Sequence, residues 1–315
     1  MCTAIHFNKY FGRNLDLEIS YGEKVLITPK NFPLLFRQLP PLNSHHAIIG
    51  IGIEVDNYPL YFDAMNDSGL AMAGLNFPDN ACYFPACHGA DNIASFELIP
   101  YILGKCATVA DACNLLSRIN ITDTHFNSQL PNSPLHWMIA DKGGSIVVEQ
   151  TKSGLKIHEN PVGVLTNNPP FDYHLTNLAN YINVTANEPE NRFSHKINLS
   201  PYSRGMGGMG IPGDLSSASR FVRAAFTLLN STEDSLGQFF HILTSVEQQK
   251  GCVRVGDKYE YTLYSSCCDL ENLIYYYTTY ENRRITKVNM KDFNSCGTEL
   301  ISLRIATDED IFTQK

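Results

Sequence analysis

Charge is scarce in this chain. Only 18% of its 315 residues are Asp, Glu, Lys or Arg, and the 24 basic residues are scattered and outnumbered by 32 acidic ones, for a formal net charge of −8. Nucleic acid and anionic membrane surfaces are therefore poor partners. Long apolar runs are missing as well, since no stretch approaches the roughly 20 residues that cross a bilayer. The first thirty residues are broken up by Lys9, Arg13, Asp16, Glu18, Glu23 and Lys24, which excludes a secretory signal and leaves a cytoplasmic location as the expectation. The nine cysteines are odd in number and lack the spacing of a disulfide framework, so they read as reduced thiols. No HExxH, Walker loop, GxSxG or zinc-spaced CxxC pair occurs, which narrows the search for chemistry. Nor does a linker, low-complexity tract or internal repeat divide the sequence, which reads as one domain over residues 1–315.

What is present is apolar material, 43% of the chain, enough to build a large core. Strand signals come in blocks. Residues 46–55, 60–64 and 70–75 are β-rich, the last two joined by the turn formers Asn66-Asp67-Ser68-Gly69, and they predict a first antiparallel sheet. Residues 95–106 and 109–119 carry apolar residues at helical spacing, with Ser95 and Thr108 placed as caps. A second strand group follows at 135–140, 145–149 and 155–158, helical periodicity returns at 219–229 and 236–246, and a tyrosine-rich strand pair is expected at 259–266 and 273–279. Two packed sheets between helical layers absorb this order, an α+β layered domain.

Several cysteine and glycine clusters invite a chemical reading that their context does not support. Cys82-x4-Cys87-His88 lacks a second metal half-site. Residues 205–213 (GMGGMGIPG) have neither the strand nor the lysine of a phosphate cradle. Cys267-Cys268 sits where a buried strand end is expected. Cys2 is different. A cysteine second in the chain is small enough for the initiator methionine to be removed, which leaves a thiol and a free α-amine on one residue. An α-amine titrates near ~8, so at neutral pH a useful fraction can take the thiol proton directly or through one water, and no histidine is required. Position two taken alone favours the plainer reading, an ordinary second residue whose identity means nothing.

The surrounding strings decide between these. Met1-Cys2-Thr3-Ala4 is followed by Tyr10-Phe11-Gly12-Arg13-Asn14-Leu15-Asp16, then by Gly74-Leu75-Asn76-Phe77-Pro78, Ser133-Pro134-Leu135-His136-Trp137, Gly163-Val164-Leu165-Thr166-Asn167-Asn168-Pro169, Tyr202-Ser203-Arg204-Gly205-Met206-Gly207-Gly208, Ser216-Ser217-Ala218-Ser219-Arg220-Phe221 and Ser245-Val246-Glu247-Gln248-Gln249-Lys250-Gly251. In this order the islands resemble the choloylglycine hydrolase family, cysteine-type N-terminal-nucleophile amidohydrolases that include conjugated bile acid hydrolases and penicillin V acylases. The resemblance spans essentially the whole chain and implies a four-layer αββα sandwich.

The resemblance also implies amide hydrolysis that needs no metal or organic cofactor, and it implies roles. Cys2 matches the nucleophile of the mature chain from which Met1 has been removed, Arg13 and Asp16 the Arg and Asp beside it, Asn76 and Asn168 the oxyanion-stabilising positions, and Arg220 the active-site arginine, with Arg223 one helical turn away as its rival. Each role has a physical basis. Asp16 can accept a hydrogen bond from the α-amine, while also favouring its charged form. Arg13 and Arg220 can stabilise a thiolate, and Asn76 and Asn168 offer amide donors where a tetrahedral oxygen becomes negative. Each residue also has a structural alternative: Arg13 and Asp16 as an i, i+3 ion pair, and Asn168 as the residue that starts a turn before Pro169.

The substrate implied is a glycine- or taurine-conjugated bile acid, because Asn76 follows the bile-acid-cleaving members where the penicillin acylases carry tyrosine. Cys2, Arg13 and Asn76 would meet the scissile amide, and Leu15, Ile19, Leu60, Leu130 and Leu135 are candidates to line an apolar acyl pocket, with ordinary core positions as their alternative. An acylase for penicillin V or N-acyl homoserine lactones is the alternative within the class. A non-catalytic bile-acid-binding protein and a papain-like pair of cysteine with His136 or His241 lie outside it. The family is often tetrameric, so a homotetramer is the expected assembly.

Overall fold

In the computed structural model, which describes residues 1–314, the chain opens with β1 (Cys2–Phe7), β2 (Tyr10–Leu17) and β3 (Lys24–Thr28) and continues through β4 (Ile48–Val55), β5 (Tyr58–Asn66) and β6 (Ala71–Asn76). The short β7 (Asp91–Ala94) leads into α1 (Leu98–Lys105), α2 (Val109–Leu116) and β8 (Ile119–Thr122), followed by β9 (Leu135–Asp141), β10 (Gly144–Thr151), β11 (Gly154–Glu159) and β12 (Val164–Leu165). After α3 (Phe171–Asn177), α4 (Ser217–Leu229) and α5 (Leu236–Thr244) come β13 (Val253–Val255), β14 (Lys258–Asp269), β15 (Ile274–Thr279), β16 (Thr286–Asn289) and β17 (Ile301–Arg304).

Two large antiparallel sheets result. The first runs β12-β1-β2-β14-β15-β16 with β13 beside β14, and the second runs β11-β10-β9-β6-β5-β4-β3-β17, while β7 and β8 form a small parallel pair. Period-two alternation in the second sheet divides its side chains between two cores. Ile49, Ile51, Ala71, Ala73, Leu75, Met138, Ala140 and Val147 face the first sheet, together with Ala4, Phe11, Leu15 and Tyr264. Their neighbours Ile48, Met72, Trp137, Ile139 and Val148 face the other way, onto Leu98, Ile102, Leu103, Ala112, Leu115 and Leu116 of α1 and α2. Phe221, Ala225, Phe239 and Leu243 of α4 and α5 close the far side of the first sheet. The layers are helix, sheet, sheet, helix, the αββα order expected.

The structure departs from the expected elements in several places. The strand groups at 46–75 and 135–158 do not form separate sheets but join through β6 and β9, in register from Ala71↔Ala140 to Asn76↔Leu135. The helix expected at 95–106 begins with a 3-10 turn at Ser95–Glu97, and Ser95 is not its cap: Glu97 reaches back to accept the Ala94 N–H at 2.9 Å. Thr108 does cap α2, accepting the Asp111 N–H at 3.1 Å, but that helix ends at Leu116, and Ile119, read as its last apolar position, starts β8. All nine cysteines are free, with Cys267 and Cys268 buried in β14.

Two β-bulges and one buried acid shape the end of the sandwich where β1 begins. In β5 the register shifts so that Ile51 faces Asp63 while Gly52 faces Tyr61, leaving Phe62 unpaired. In β14 a shift between Thr262 and Tyr264 lies opposite Asp16 and Leu15. A bulge frees ladder groups and re-aims side chains. Between the sheets Asp63 is fully buried and accepts hydroxyl hydrogen bonds from Tyr264 (2.5 Å), Tyr275 (2.6 Å) and Ser266 (2.9 Å), so one carboxylate of the second sheet ties down two strands of the first. Burial pushes its pKa up, opposed by the nearby Arg13 charge and by the three hydroxyls. Replacing Asp63 with Ala strands those three hydroxyls without their acceptor in the interior and takes a nearby opposing charge from the buried Arg13. We expect a loss of about 3–5 kcal/mol of stability, read from the urea midpoint at unchanged m-value.

Candidate active site

Cys2 is the first residue of β1 and 2% exposed. In the β1–β2 ladder it lies opposite Leu15, with Ala4 opposite Arg13. Residues paired across a ladder share a face, which puts the Cys2 thiol on the inter-sheet side with Arg13 and Leu15. Thr3, Asn14 and Asp16 face the opposite way, toward the layer of α4 and α5. Arg13 and Asp16 therefore do not form the local ion pair that their spacing permits. They lie on opposite faces of β2.

Arg13 is 1% exposed. Its Nη1 donates to the Gly74 carbonyl and, at 3.0 Å, to the carbonyl of Phe62, the residue that the β5 bulge leaves unpaired. Its Nη2 is buried with no hydrogen-bond partner. Burial pulls the guanidinium pKa down, but the charges of Cys2, Tyr264, Asp63 and Asp16 outweigh it and the net direction is up. A donor thus stands unused in an interior close to the thiol.

The other face is organised by Arg220, which rises from α4 and is fully buried. Its Nη1 donates to the Cys2 carbonyl at 2.6 Å and to the Thr3 hydroxyl at 2.6 Å, Nη2 donates to Asn167 Oδ1 at 2.7 Å, and Nε to the Leu215 carbonyl at 3.0 Å. Asp16 Oδ2 lies 3.9 Å from Nη1. Asp16 itself accepts from Thr262 Oγ1 at 2.6 Å and Gln248 Nε2 at 3.3 Å. Burial drives the Asp16 pKa up and the Arg220 pKa down, and for each the other is the main opposing charge. Arg223, the rival, instead holds the carbonyls of Ser245, Pro212 and Asp214 and makes no contact of this kind with Cys2.

The asparagine assigned from sequence needs correction. β12 pairs with β1 as Leu165↔Ala4 and Val164↔Ile5, and extending that register by two residues brings Asn167, not Asn168, opposite Cys2. Asn167 Oδ1 accepts the Cys2 N–H at 2.8 Å, and its Nδ2 donates to the Asn76 carbonyl at 2.7 Å. Asn168, one residue on, points away as alternation requires and donates to the Pro78 carbonyl at 2.7 Å. Asn167 is itself clamped: its N–H donates to Ser217 Oγ at 2.8 Å and its carbonyl is 2.9 Å from His174 Nε2. The carbonyl before it, of Thr166, is 2.9 Å from His136 Nε2, and His136 Nδ1 is 3.0 Å from Glu149. Both nitrogens of His136 are thus occupied and His241 is exposed on α5, which leaves neither to act on Cys2.

Asn76 ends β6 with a half-buried side chain. Of the pocket candidates, Leu15 belongs to the inter-sheet core and Leu135 packs against the core beneath α1 and α2, while Ile19, Leu60 and Leu130 are half-buried. The structure does not bring these five together into one lining. Asn167, Ser217 and Gln248 lie in the strings quoted from the sequence but received no role there, and Thr262 and His174 went unread. The Thr166-Asn167-Asn168 string offered two asparagines, and only the strand register separates them.

Comparison with known proteins places this arrangement. The family of linear amide C–N hydrolases, choloylglycine hydrolase family, matches residues 2–303. A protein named bile salt hydrolase/transferase from Lactiplantibacillus plantarum is 54% identical, covering 99% of each chain. Another of that name from Clostridium perfringens is 38% identical over 95% of each. The crystal structure of a mutant conjugated bile acid hydrolase from Clostridium perfringens superposes with a TM-score of 0.94 at 36% identity, covering 100% of both chains. Penicillin V acylase from Agrobacterium tumefaciens shares the fold, with a TM-score of 0.76 at 18% identity over 98% of this chain and 92% of that one. This chain belongs to the choloylglycine hydrolase family, whose members hydrolyse linear amide C–N bonds.

Proposed function

We propose that the chain cleaves the amide bond of glycine- and taurine-conjugated bile acids, with Cys2 as the N-terminal nucleophile once Met1 has been removed. The observation that carries the reading is the position of Cys2, its thiol facing the Arg13 cation and its backbone nitrogen held on Asn167 Oδ1 by the Arg220 hub. The names of the 54% and 38% identical relatives support the substrate class.

In this mechanism the α-amine of Cys2, aimed by Asn167 Oδ1, takes the thiol proton, and the thiolate attacks the amide carbonyl beside Arg13. Two donors meet the oxygen that becomes negative, the spare Nη2 of Arg13 and the side-chain amide of Asn76, whose carbonyl Asn167 fixes. Collapse of the tetrahedral intermediate expels the amino acid, which receives its proton from the Cys2 ammonium, and water clears the thioester. Asn167 takes the place first given to Asn168. Its amide is engaged by Asn76, so it orients the base. The steroid body would need an apolar surface, for which the half-buried Ile19, Leu60 and Leu130 remain candidates.

The assembly we propose is a homotetramer. Within residues 182–209 the side chains of Ile182, Phe193, Ile197, Leu199, Tyr202 and Met209 are each exposed, apolar surface suited to burial against another copy. A cytoplasmic location remains the reading, and among the described residues no helix is long and apolar enough to cross a membrane.

Four measurements test these assignments. Cys2→Ser should lose activity by several orders of magnitude with folding intact, because a hydroxyl has no thiolate to offer beside so weak a base. Chains that retain Met1, produced by Thr3→Pro or an uncleaved tag and verified by intact mass, should be inactive with an unmodified thiol, and normal hydrolysis by such a chain would exclude the mechanism. Asn167→Ala, which removes the group that aims the base, should lower kcat/KM about 10²-fold or more, whereas Asn168→Ala should change it less than about threefold. Across a panel of substrates, kcat/KM for glycocholate and taurocholate should exceed that for penicillin V by at least about tenfold, which requires only ~1.4 kcal/mol of differential transition-state binding. Equal rates on penicillin V would reject the bile acid assignment and leave the cysteine amidohydrolase standing.

A further inference from the structure

Glu260 is a buried carboxylate that the mechanism above leaves idle. It lies on β14, 5% exposed, two residues before the Thr262 that holds Asp16. Its Oε2 accepts a hydrogen bond from the Met1 ammonium at 2.5 Å, and its Oε1 is buried with no hydrogen-bond partner. Met1 is seated as one further rung of the β1–β2 ladder, its ammonium donating to the Asp16 carbonyl at 2.7 Å and its carbonyl accepting the Asp16 N–H at 3.0 Å. The charged groups that face Glu260 are this ammonium, Asp16 and Arg220.

Removal of Met1 takes away the one hydrogen-bond partner that Glu260 has among the described residues. An ionised carboxylate held away from water without a partner is costly. The same cleavage creates a new ammonium on Cys2, one residue further along the strand and so no more than about 3.8 Å from the atom it replaces. Asp16 cannot supply the missing partner because it carries the same charge, and Arg220 is already committed to Cys2, Thr3, Asn167 and Leu215.

We infer that Glu260 is a positioning residue of the mature nucleophile: after Met1 leaves, its carboxylate takes over the α-ammonium of Cys2 and, with Asp16, sets the pH at which that group becomes a free base. The inference rests on the reading that Met1 is removed. The sign follows from charge. Two carboxylates favour the ammonium and Arg220 opposes it, so neutralising one carboxylate lets the amine give up its proton at lower pH. The ammonium that forms when the thiol is deprotonated also loses part of its stabilisation, which slows the chemical step without touching substrate binding.

The test compares wild type with Glu260→Gln and Glu260→Asp, each first shown by intact mass to lack Met1. For Glu260→Gln the acid limb of kcat/KM, and the pH dependence of Cys2 alkylation by iodoacetamide, should move to lower pH by at least about 0.5 unit. At neutral pH kcat should fall about tenfold with KM within about twofold. Glu260→Asp withdraws the charge by one methylene and should move both profiles the same way by less; it decides the matter if the glutamine variant does not fold. Unmoved profiles in folded chains lacking Met1 would overturn the inference and leave the nucleophile assignment intact. An active wild-type chain that keeps Met1 would overturn the reading beneath it.

Discussion

One buried guanidinium holds the nucleophilic end of this molecule together. Arg220 spends its donors on the Cys2 carbonyl, the Thr3 hydroxyl, Asn167 Oδ1 and the Leu215 carbonyl, joining β1, the segment after β12 and the start of α4 at a single point. A buried cation is tolerated only when its donors are satisfied and a counter-charge is near, and Asp16 at 3.9 Å supplies that charge. Asp16 is in turn fixed by Thr262 and Gln248. The first residues of a chain tend to be disordered unless tied down, and here the guanidinium, with the ladders to β2 and β12, does the tying.

The strand geometry then separates two tasks that fall on one residue. Because side chains alternate across β1, the thiol of Cys2 projects between the sheets toward Arg13, while its nitrogen remains at the strand end among Asn167, Asp16 and the helix-side groups. Thiol and backbone nitrogen belong to one residue but have different surroundings, the first beside a cation with a spare donor and the second hydrogen-bonded to Asn167 Oδ1. The bulges serve this division. That in β5 releases the Phe62 carbonyl to Arg13, and that in β14 falls opposite Asp16. Gly12, the residue before Arg13, is required for the same approach of β2 to β14, since a Cβ there would lie 2.0 Å from the Ser266 carbonyl oxygen.

Much of this was legible in the sequence. The long apolar alternations of β4, β9 and β10 and the periodicity of α4 and α5 announced their elements, and the islands around Cys2, Arg13, Asp16, Asn76 and Arg220 announced a site. Elements whose residues obey another constraint were not legible. β2 and its Gly-Arg-Asn-Leu-Asp core read as a motif because polar residues fill both of its faces, and β12 is two residues long. The pairing of β6 with β9, which fuses two strand groups into one sheet, is a contact across 59 or more residues that no local pattern encodes. Asn167 and Asn168 are chemically identical, and their difference arises only from a register set at Ala4 and Leu165. Glu260 and Asp63 look like surface residues of ordinary strands until topology buries them.

The charges at this end of the sandwich form a closed set. Arg13, Arg220 and the chain's terminal ammonium stand against Asp16, Asp63 and Glu260, so the interior is formally balanced before any substrate arrives. The proposed removal of Met1 would keep that balance, because one terminal ammonium would be exchanged for another and only its position would change, by one residue along β1. A process that deleted or added a buried charge would demand repacking of the groups around it. One that moves an existing charge by less than 4 Å leaves Arg220, Asn167 and Asp16 in place and converts an inert peptide nitrogen into a base beside the thiol. Under the mechanism proposed above, the chain that still carries Met1 therefore folds with the groups around Cys2 already in place, and the proposed activation needs the loss of Met1 alone.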